Sequence, residues 1–247
     1  IQAAEEFSHA KRFYDYLFRI ISNGNVDLYN CIVHYISKIT QKGFSEQCFV
    51  MLGDRGIGKS TFPQTLAFIV GKDDEQYYNK FDNIEDLTSR FNADMQMAII
   101  TAIEELPSTA GTFHNIQNKL KSVITEKNMT YEQKGLAKFK GKSNNNFILM
   151  TNEINPVQIH EDNRRFIITE PSNIEKGNKI GYFTPLRKEI YENIEEIRYY
   201  FNTFNFIDDI NSIRPTTAAE LKLRELNVDI TDRYINDELI LIGEKYD

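Results

Sequence analysis

The sequence predicts a mixed α/β fold with a mainly parallel central sheet, and two observations carry the prediction. Four short apolar runs, Gln47–Leu52, Met97–Ile103, Phe147–Thr151 and Arg165–Thr169, read as buried strands and are interspersed with helical stretches. Strands that alternate with helices imply parallel pairing, with helices on both faces of the sheet. The second observation is "MLGDRGIGKS", Met51 to Ser60, directly after the first apolar run. It places a glycine-rich turn, Gly53-x4-Gly58-Lys59-Ser60, between a strand and a helix.

Taken in order, His9–Ile21 and Val26–Ile39 carry apolar residues at three- and four-residue steps, with Ser22-Asn23-Gly24 between them. This pair predicts a helical segment over residues 1–43, suited to packing on the core or to subunit contact. A core over 44–172 follows: the first strand, a helix over Lys59–Val70, the strand "MAIITAI" and a helix over Thr112–Glu126. A hairpin region comes next, then the strands "FILMT" and "RFIIT". Thr130–Lys134 is expected to pair with Phe147–Thr151, leaving the residues between as a projecting loop. Residues 173–247 are expected to be helical, through Thr184–Phe201 and Thr216–Leu226.

Composition bounds the function. The 247 residues are 41% hydrophobic and 12% aromatic, enough for a substantial core. The two cysteines, Cys31 and Cys48, form no CxxC pair, so neither a zinc site nor a disulfide framework is indicated and a reducing, cytoplasmic interior is expected. No apolar run reaches the ~20 residues of a membrane span. The chain begins with Ile, which is expected of a fragment. A net charge of −7 argues against a surface coated by nucleic acid. The charge is uneven, however: seven lysines lie between Lys119 and Lys142 against Glu126 and Glu132, while Leu186 onward holds fourteen acids and eight bases. One confined nucleic-acid contact is compatible with that distribution.

The turn predicts phosphate chemistry. Glycines at 53, 56 and 58 let the N–H groups of Gly53, Asp54, Arg55, Gly56, Ile57, Gly58, Lys59, Ser60 and Thr61 converge on phosphate oxygens, beside a helix N-terminus. Lys59 then reaches the β- and γ-phosphates of ATP, and the Ser60 hydroxyl sits on Mg2+. Glu104 and Glu105 end the second strand, where adjacent acids are suited to hold the metal's water shell and polarise an attacking water, with Glu104 nearer the metal. Asn152, ending the third strand, is placed to hold that water or the γ-phosphate. Arg164 and Arg165 open the fourth strand, and a guanidinium there is suited to stabilise charge on a transferring phosphoryl group. In "TYEQKGLAKFKGKSNNNF", Lys134, Lys138, Lys140 and Lys142 surround Phe139, a combination that suits single-stranded DNA through backbone charge and base stacking.

The ordered set of phosphate loop, paired acids, lysine-bearing hairpin, Asn-ended strand and arginines resembles the superfamily 3 helicases, a branch of the AAA+ ATPases. It looks most like the helicase portion of phage and poxvirus-type primase–helicases. "NGNVDLYNCIVHYISKI", "DNRRFIITEP" and "GYFTPLRKEI" share the likeness, which runs from about Ser22 to Thr217. The resemblance implies an AAA+-like core and a hexameric ring with ATP between subunits and single-stranded DNA in the pore. It puts the hairpin lysines in that pore and Asn152 at the polar sensor. Arg164 or Arg165 falls on a finger reaching the neighbouring subunit; Asn163 separates Asp162 from the pair, so both stay candidates. No primase-type acidic motif occurs, so any priming activity is expected to lie outside this segment. Two other readings use fewer of these features: a replication initiator or assembly protein without unwinding, and a P-loop phosphotransferase.

Overall fold

A computed structural model describes residues 9–71, 77–82, 95–104, 120–132, 135, 137–153, 159 and 161–226. Helix α1 begins at Lys11–Asp15 and runs on as a π-helical turn, Tyr16–Ile21. It stops where Asn23 and Gly24 adopt positive φ. Helix α2, Val26–Lys42, is capped by the Asn25 side chain, which accepts the Leu28 N–H at 2.8 Å. It ends at Gly43, whose φ of 77° lets its N–H return to the Ile39 carbonyl.

Five strands form the central sheet: β1 (Cys48–Leu52), β2 (Tyr78–Phe81), β3 (Ile100–Ile103), β6 (Asn146–Thr151) and β7 (Phe166–Thr169). They lie in the order β2-β3-β6-β1-β7, and every pairing is parallel. The first strand is thus central, flanked by β6 and β7, as the continuous apolar runs imply for strands buried on both faces. Helix α3 (Thr61–Gly71) follows β1; α4 (Thr184–Glu192), α5 (Ile194–Thr203) and α6 (Ala218–Leu226) follow β7.

The pleat divides the strand side chains between two cores. Phe49, Met51, Ile148, Met150 and Ile167 face one core with α1–α5. Cys48, Val50, Leu149, Phe166 and Ile168 face the other, with Leu120 and Ile124 of the helical stretch 120–125 and with Ala219 and Leu223 of α6. Tyr35 of α2 packs edge-on against Phe49, which meets Phe62 of α3 in the same way. The N-terminal helices therefore share the sheet's core.

Several expectations are corrected. The described part of the expected hairpin strand, Thr130–Glu132, does not pair with Phe147–Thr151; instead β4 (Asn128–Tyr131) and β5 (Phe139–Lys142) form a separate antiparallel ribbon. The reason is that Phe147–Thr151 belongs to β6, whose two neighbours are the parallel strands β1 and β3. Strand β2 was not anticipated, because a polar edge strand carries no apolar run. The helix expected over Thr184–Phe201 is two, interrupted at Asn193, whose side chain donates to the Glu189 carbonyl at 2.8 Å. The helix after the phosphate loop starts at Thr61, two residues later than expected. Of the helix expected over Thr112–Glu126, residues 112–119 lie outside the described residues.

Candidate functional site

Parallel topology brings three predicted elements to one end of the sheet. The loop Gly53–Ser60 follows β1, Asn152 follows β6 and Glu104 follows β3, and these three strands are adjacent. Ligand clefts in open parallel sheets form at the carboxyl ends of the strands. Here a cleft of about 740 Å³ opens there, lined by loop residues, Glu104 and Asn152 on one side and by Lys179, Phe183 and Arg187 on the other.

The loop is held from three directions. Ile57 is buried with its side chain turned back against Gly53, so this residue offers a ligand only its backbone. Tyr16 of α1 donates its hydroxyl to the Gly58 carbonyl at 2.9 Å. Gly177 donates its N–H to the Gly56 carbonyl at 3.0 Å, and Lys176 meets the Asp54 carboxylate at 2.6 Å, which holds that carboxyl below its usual range. At Gly58 only glycine fits. Its φ is 91°, and a Cβ would lie 2.3 Å from the Phe183 ring.

Lys59 is folded back over the loop. Its Nζ donates to the carbonyls of Gly53 and Asp54 and to Asn152 Oδ1, the latter two at 2.9 Å. Burial pulls its pKa down to about 8, although Asp54 opposes the shift. Ser60 is exposed and Thr61 is buried at the start of α3. Glu104 takes an ion pair from Lys80 of β2 at 2.8 Å. Lys179 and Arg187 are exposed at the cleft and form no ion pair among the described residues. Glu105 lies outside the described residues.

The donor set fits a triphosphate: the glycine-rich loop and four cations, Arg55, Lys59, Lys179 and Arg187, line a cleft whose two acids, Asp54 and Glu104, already have lysine partners. It also fits Mg2+ in the manner that metal prefers with nucleotides, through one hydroxyl and one carboxylate with phosphate oxygens. Among the described residues no group of three or more His, Cys, Asp or Glu is placed to bind a metal unaided.

Arg164 and Arg165 lie elsewhere. They precede β7, at the amino end of the sheet, where the Cys48 N–H bonds the Arg165 carbonyl at 2.7 Å. A second, smaller cleft there is lined by both arginines with Glu46, Gln47, Thr125 and Asn211. The arginines are therefore separated from their own phosphate loop by the length of the sheet. Asn163 shapes their turn: its Oδ1 accepts the N–H groups of Arg165 and Phe166, at 3.2 and 3.0 Å. Fully buried Glu220 holds Asn163 Nδ2 at 3.2 Å and pairs with Arg214 and Arg224.

The ribbon alters the expected nucleic-acid surface. Lys134 lies outside the described residues. Lys138 pairs with Glu132 at 2.9 Å. Lys140 and Lys142 are exposed, form no ion pair among the described residues, and share one face of β5. Phe139 points to the opposite face, its ring 5.6 Å from that of Tyr131. The aromatic is thus not interleaved with the cations, because alternate strand residues face opposite ways.

Sequence reasoning missed Tyr16, Lys80, Lys176, Lys179, Phe183 and Arg187. Three of them fall in or beside "GYFTPLRKEI", which carried part of the resemblance without assigned roles. Lys80 sits in a polar segment that gave no signal.

These features define an α/β domain with a phosphate-type loop at the carboxyl edge of a five-stranded parallel sheet. Residues 51–165 match DUF5906, a family of unknown function. Over 153 residues the chain is 26% identical to the DNA primase-polymerase of Nitratiruptor phage NrS-1, an alignment that covers 62% of this chain and 21% of that protein. Two apo structures of the NrS-1 C-terminal region share its fold, with TM-scores of 0.73 and 0.72 at 19% and 21% identity. Each match covers 88% of this chain and 51% of the other, so the chain spans about half of that region. No helix among the described residues is long and apolar enough to cross a membrane.

Proposed function

We propose that this chain is an ATP-hydrolysing motor domain of a viral or phage replication protein, working as a superfamily 3 helicase on single-stranded DNA. The observation that carries the reading is the meeting of Gly53–Ser60, Glu104 and Asn152 at the ends of three adjacent parallel strands. The name of the phage relative, a DNA primase-polymerase, fits a motor that acts beside DNA synthesis.

In this reading the loop N–H groups, Lys59, Lys179 and Arg187 bind and orient the triphosphate. Ser60 and Glu104 hold Mg2+, which supplies charge neutralisation on the phosphate oxygens. Glu105 takes the proton of the attacking water, and Asn152 orients that water once Lys59 turns from it to the phosphates. Arg164 or Arg165 stabilises charge in the neighbouring subunit's site, since the sheet separates both from their own loop. That division of labour requires a second subunit, and the resemblance makes the assembly a hexameric ring, with residues 1–43 as its collar, 44–172 as its motor core and 173–247 as a helical cover. Lys140 and Lys142 supply the DNA contact, and a primase or polymerase unit belongs to the rest of the protein.

The test is ATP turnover with and without single-stranded DNA, alongside the mass of the assembly. Stimulation by DNA in a closed oligomer is expected. ATP turnover indifferent to DNA would favour a phosphotransferase, and ATP-dependent assembly without turnover would favour an initiator or assembly protein.

A further inference from the structure

Lys80 and Glu104 come together through sheet register. Strand β2 runs parallel to β3 with Lys80 opposite Ala102, and Glu104 follows two residues later. The Glu104 N–H is fixed to the Phe81 carbonyl at 3.0 Å, so the acid leaves the sheet beside β2. The Lys80 ammonium then reaches Glu104 Oε2 at 2.8 Å and Asp82 Oδ1 at 3.5 Å. Asp82 is 87% exposed and water can serve it; Glu104 is 37% exposed and faces the cleft. The lysine is therefore the principal protein partner of the one described carboxylate at the cleft that is not tied to Lys176.

We infer that Lys80 is a resident counter-cation for Glu104, holding one carboxylate oxygen in the nucleotide-free protein and opposing the divalent metal there. This rests on the nucleotide-binding reading of the cleft. An ammonium on Oε2 neutralises the acid and fixes its rotamer. A divalent cation that approaches Glu104 meets a like charge a few ångströms away, so free metal binds poorly. Metal that arrives with a triphosphate brings the negative charge that offsets this repulsion. Lys80 thus makes occupation of the acid conditional on nucleotide, and it is a positioning residue rather than a catalytic one.

The test is the affinity of a fluorescent, non-hydrolysable ATP analogue, measured with and without Mg2+. The ratio of the two affinities reports how strongly metal and nucleotide co-operate at the site. Lys80→Met should raise that ratio about three- to fivefold, the scale of a partly exposed ion pair, with the Mg2+-loaded affinity kept while the unmasked Glu104 weakens metal-free binding. Lys80→Arg should keep the wild-type ratio. Lys80→Gln, closer in polarity, should behave as Lys80→Met and carries the test if the methionine variant does not fold. An unchanged or lowered ratio in the neutral variants would overturn the inference, as would a loss of the Mg2+-loaded affinity, which marks a merely structural lysine. Absence of saturable analogue binding by the wild type would instead overturn the nucleotide-binding reading itself.

Discussion

Lys59 Nζ donates to Asn152 Oδ1 at 2.9 Å, joining the phosphate loop after β1 to the polar end of β6. A triphosphate would compete for that ammonium and release the amide. Lys59→Ala should abolish ATP turnover while leaving circular dichroism and melting nearly unchanged. Asn152→Ala should bind nucleotide yet turn it over about 10²–10³-fold more slowly, the cost of removing one transition-state hydrogen-bond partner. Turnover within a few-fold of wild type in the lysine variant would exclude the cleft as the ATPase site.

Burial holds the Lys59 pKa near about 8 in the nucleotide-free protein, and phosphates should raise it toward the ordinary 10.5. The sign follows: below both values the lysine is protonated before and after binding, and no proton moves. Between them, binding takes up a proton, and affinity falls with rising pH by at most about tenfold per unit. Calorimetry in buffers of different ionisation enthalpy should show uptake approaching one proton near about pH 9 and almost none near about pH 6.5. Lys59→Met should bind more weakly and show no uptake at either pH.

Gly58→Ala should destabilise the protein by about 2–4 kcal/mol, from strain at positive φ and collision with Phe183. Phe183→Ala should recover part of this in the double mutant, since it removes the collision but leaves the backbone strain. Chemical denaturation of the four proteins measures the coupling. Strict additivity would show that the ring and the loop do not meet in solution.

Because the sheet separates Arg164 and Arg165 from their own loop, their contribution should appear only between subunits. Arg164→Ala or Arg165→Ala should lower turnover by about 10³–10⁵, the range for an arginine acting in trans. Mixing such a variant with Lys59→Ala should restore activity at interfaces that combine one intact half-site from each. No recovery from demonstrably co-assembled subunits would refute a shared site.

The pleat of β5 separates the lysines from Phe139, and DNA binding should follow that division. Lys140→Ala with Lys142→Ala should weaken single-stranded DNA binding and flatten its log–log salt dependence by about 0.7 per lost contact. Basal ATP turnover should persist. Phe139→Ala should leave both affinity and salt slope near wild type, as its ring packs on Tyr131. A large loss in the phenylalanine variant would mean that bases stack on the opposite face.

Local pattern determined much of this protein. Continuous apolar runs mark strands buried on both faces, so β1, β3, β6 and β7 were legible, as was the parallel sheet that contains them. The loop was legible because its glycines and Lys59-Ser60 are consecutive, and their spacing is the chemistry. What only tertiary structure decided depends on register and on contacts between distant segments. Polar β2 has no apolar signature, yet its register against β3 puts Lys80 on Glu104. The partner of Thr130 is not legible locally, because β6 has both edges taken by parallel neighbours, a fact of sheet order that no local stretch contains. Asn163 read as an interruption before the arginines, whereas its amide and buried Glu220, 57 residues away, shape the turn that presents them. Sequence periodicity reports which face of an element is apolar; which elements then meet is settled by packing the whole chain at once.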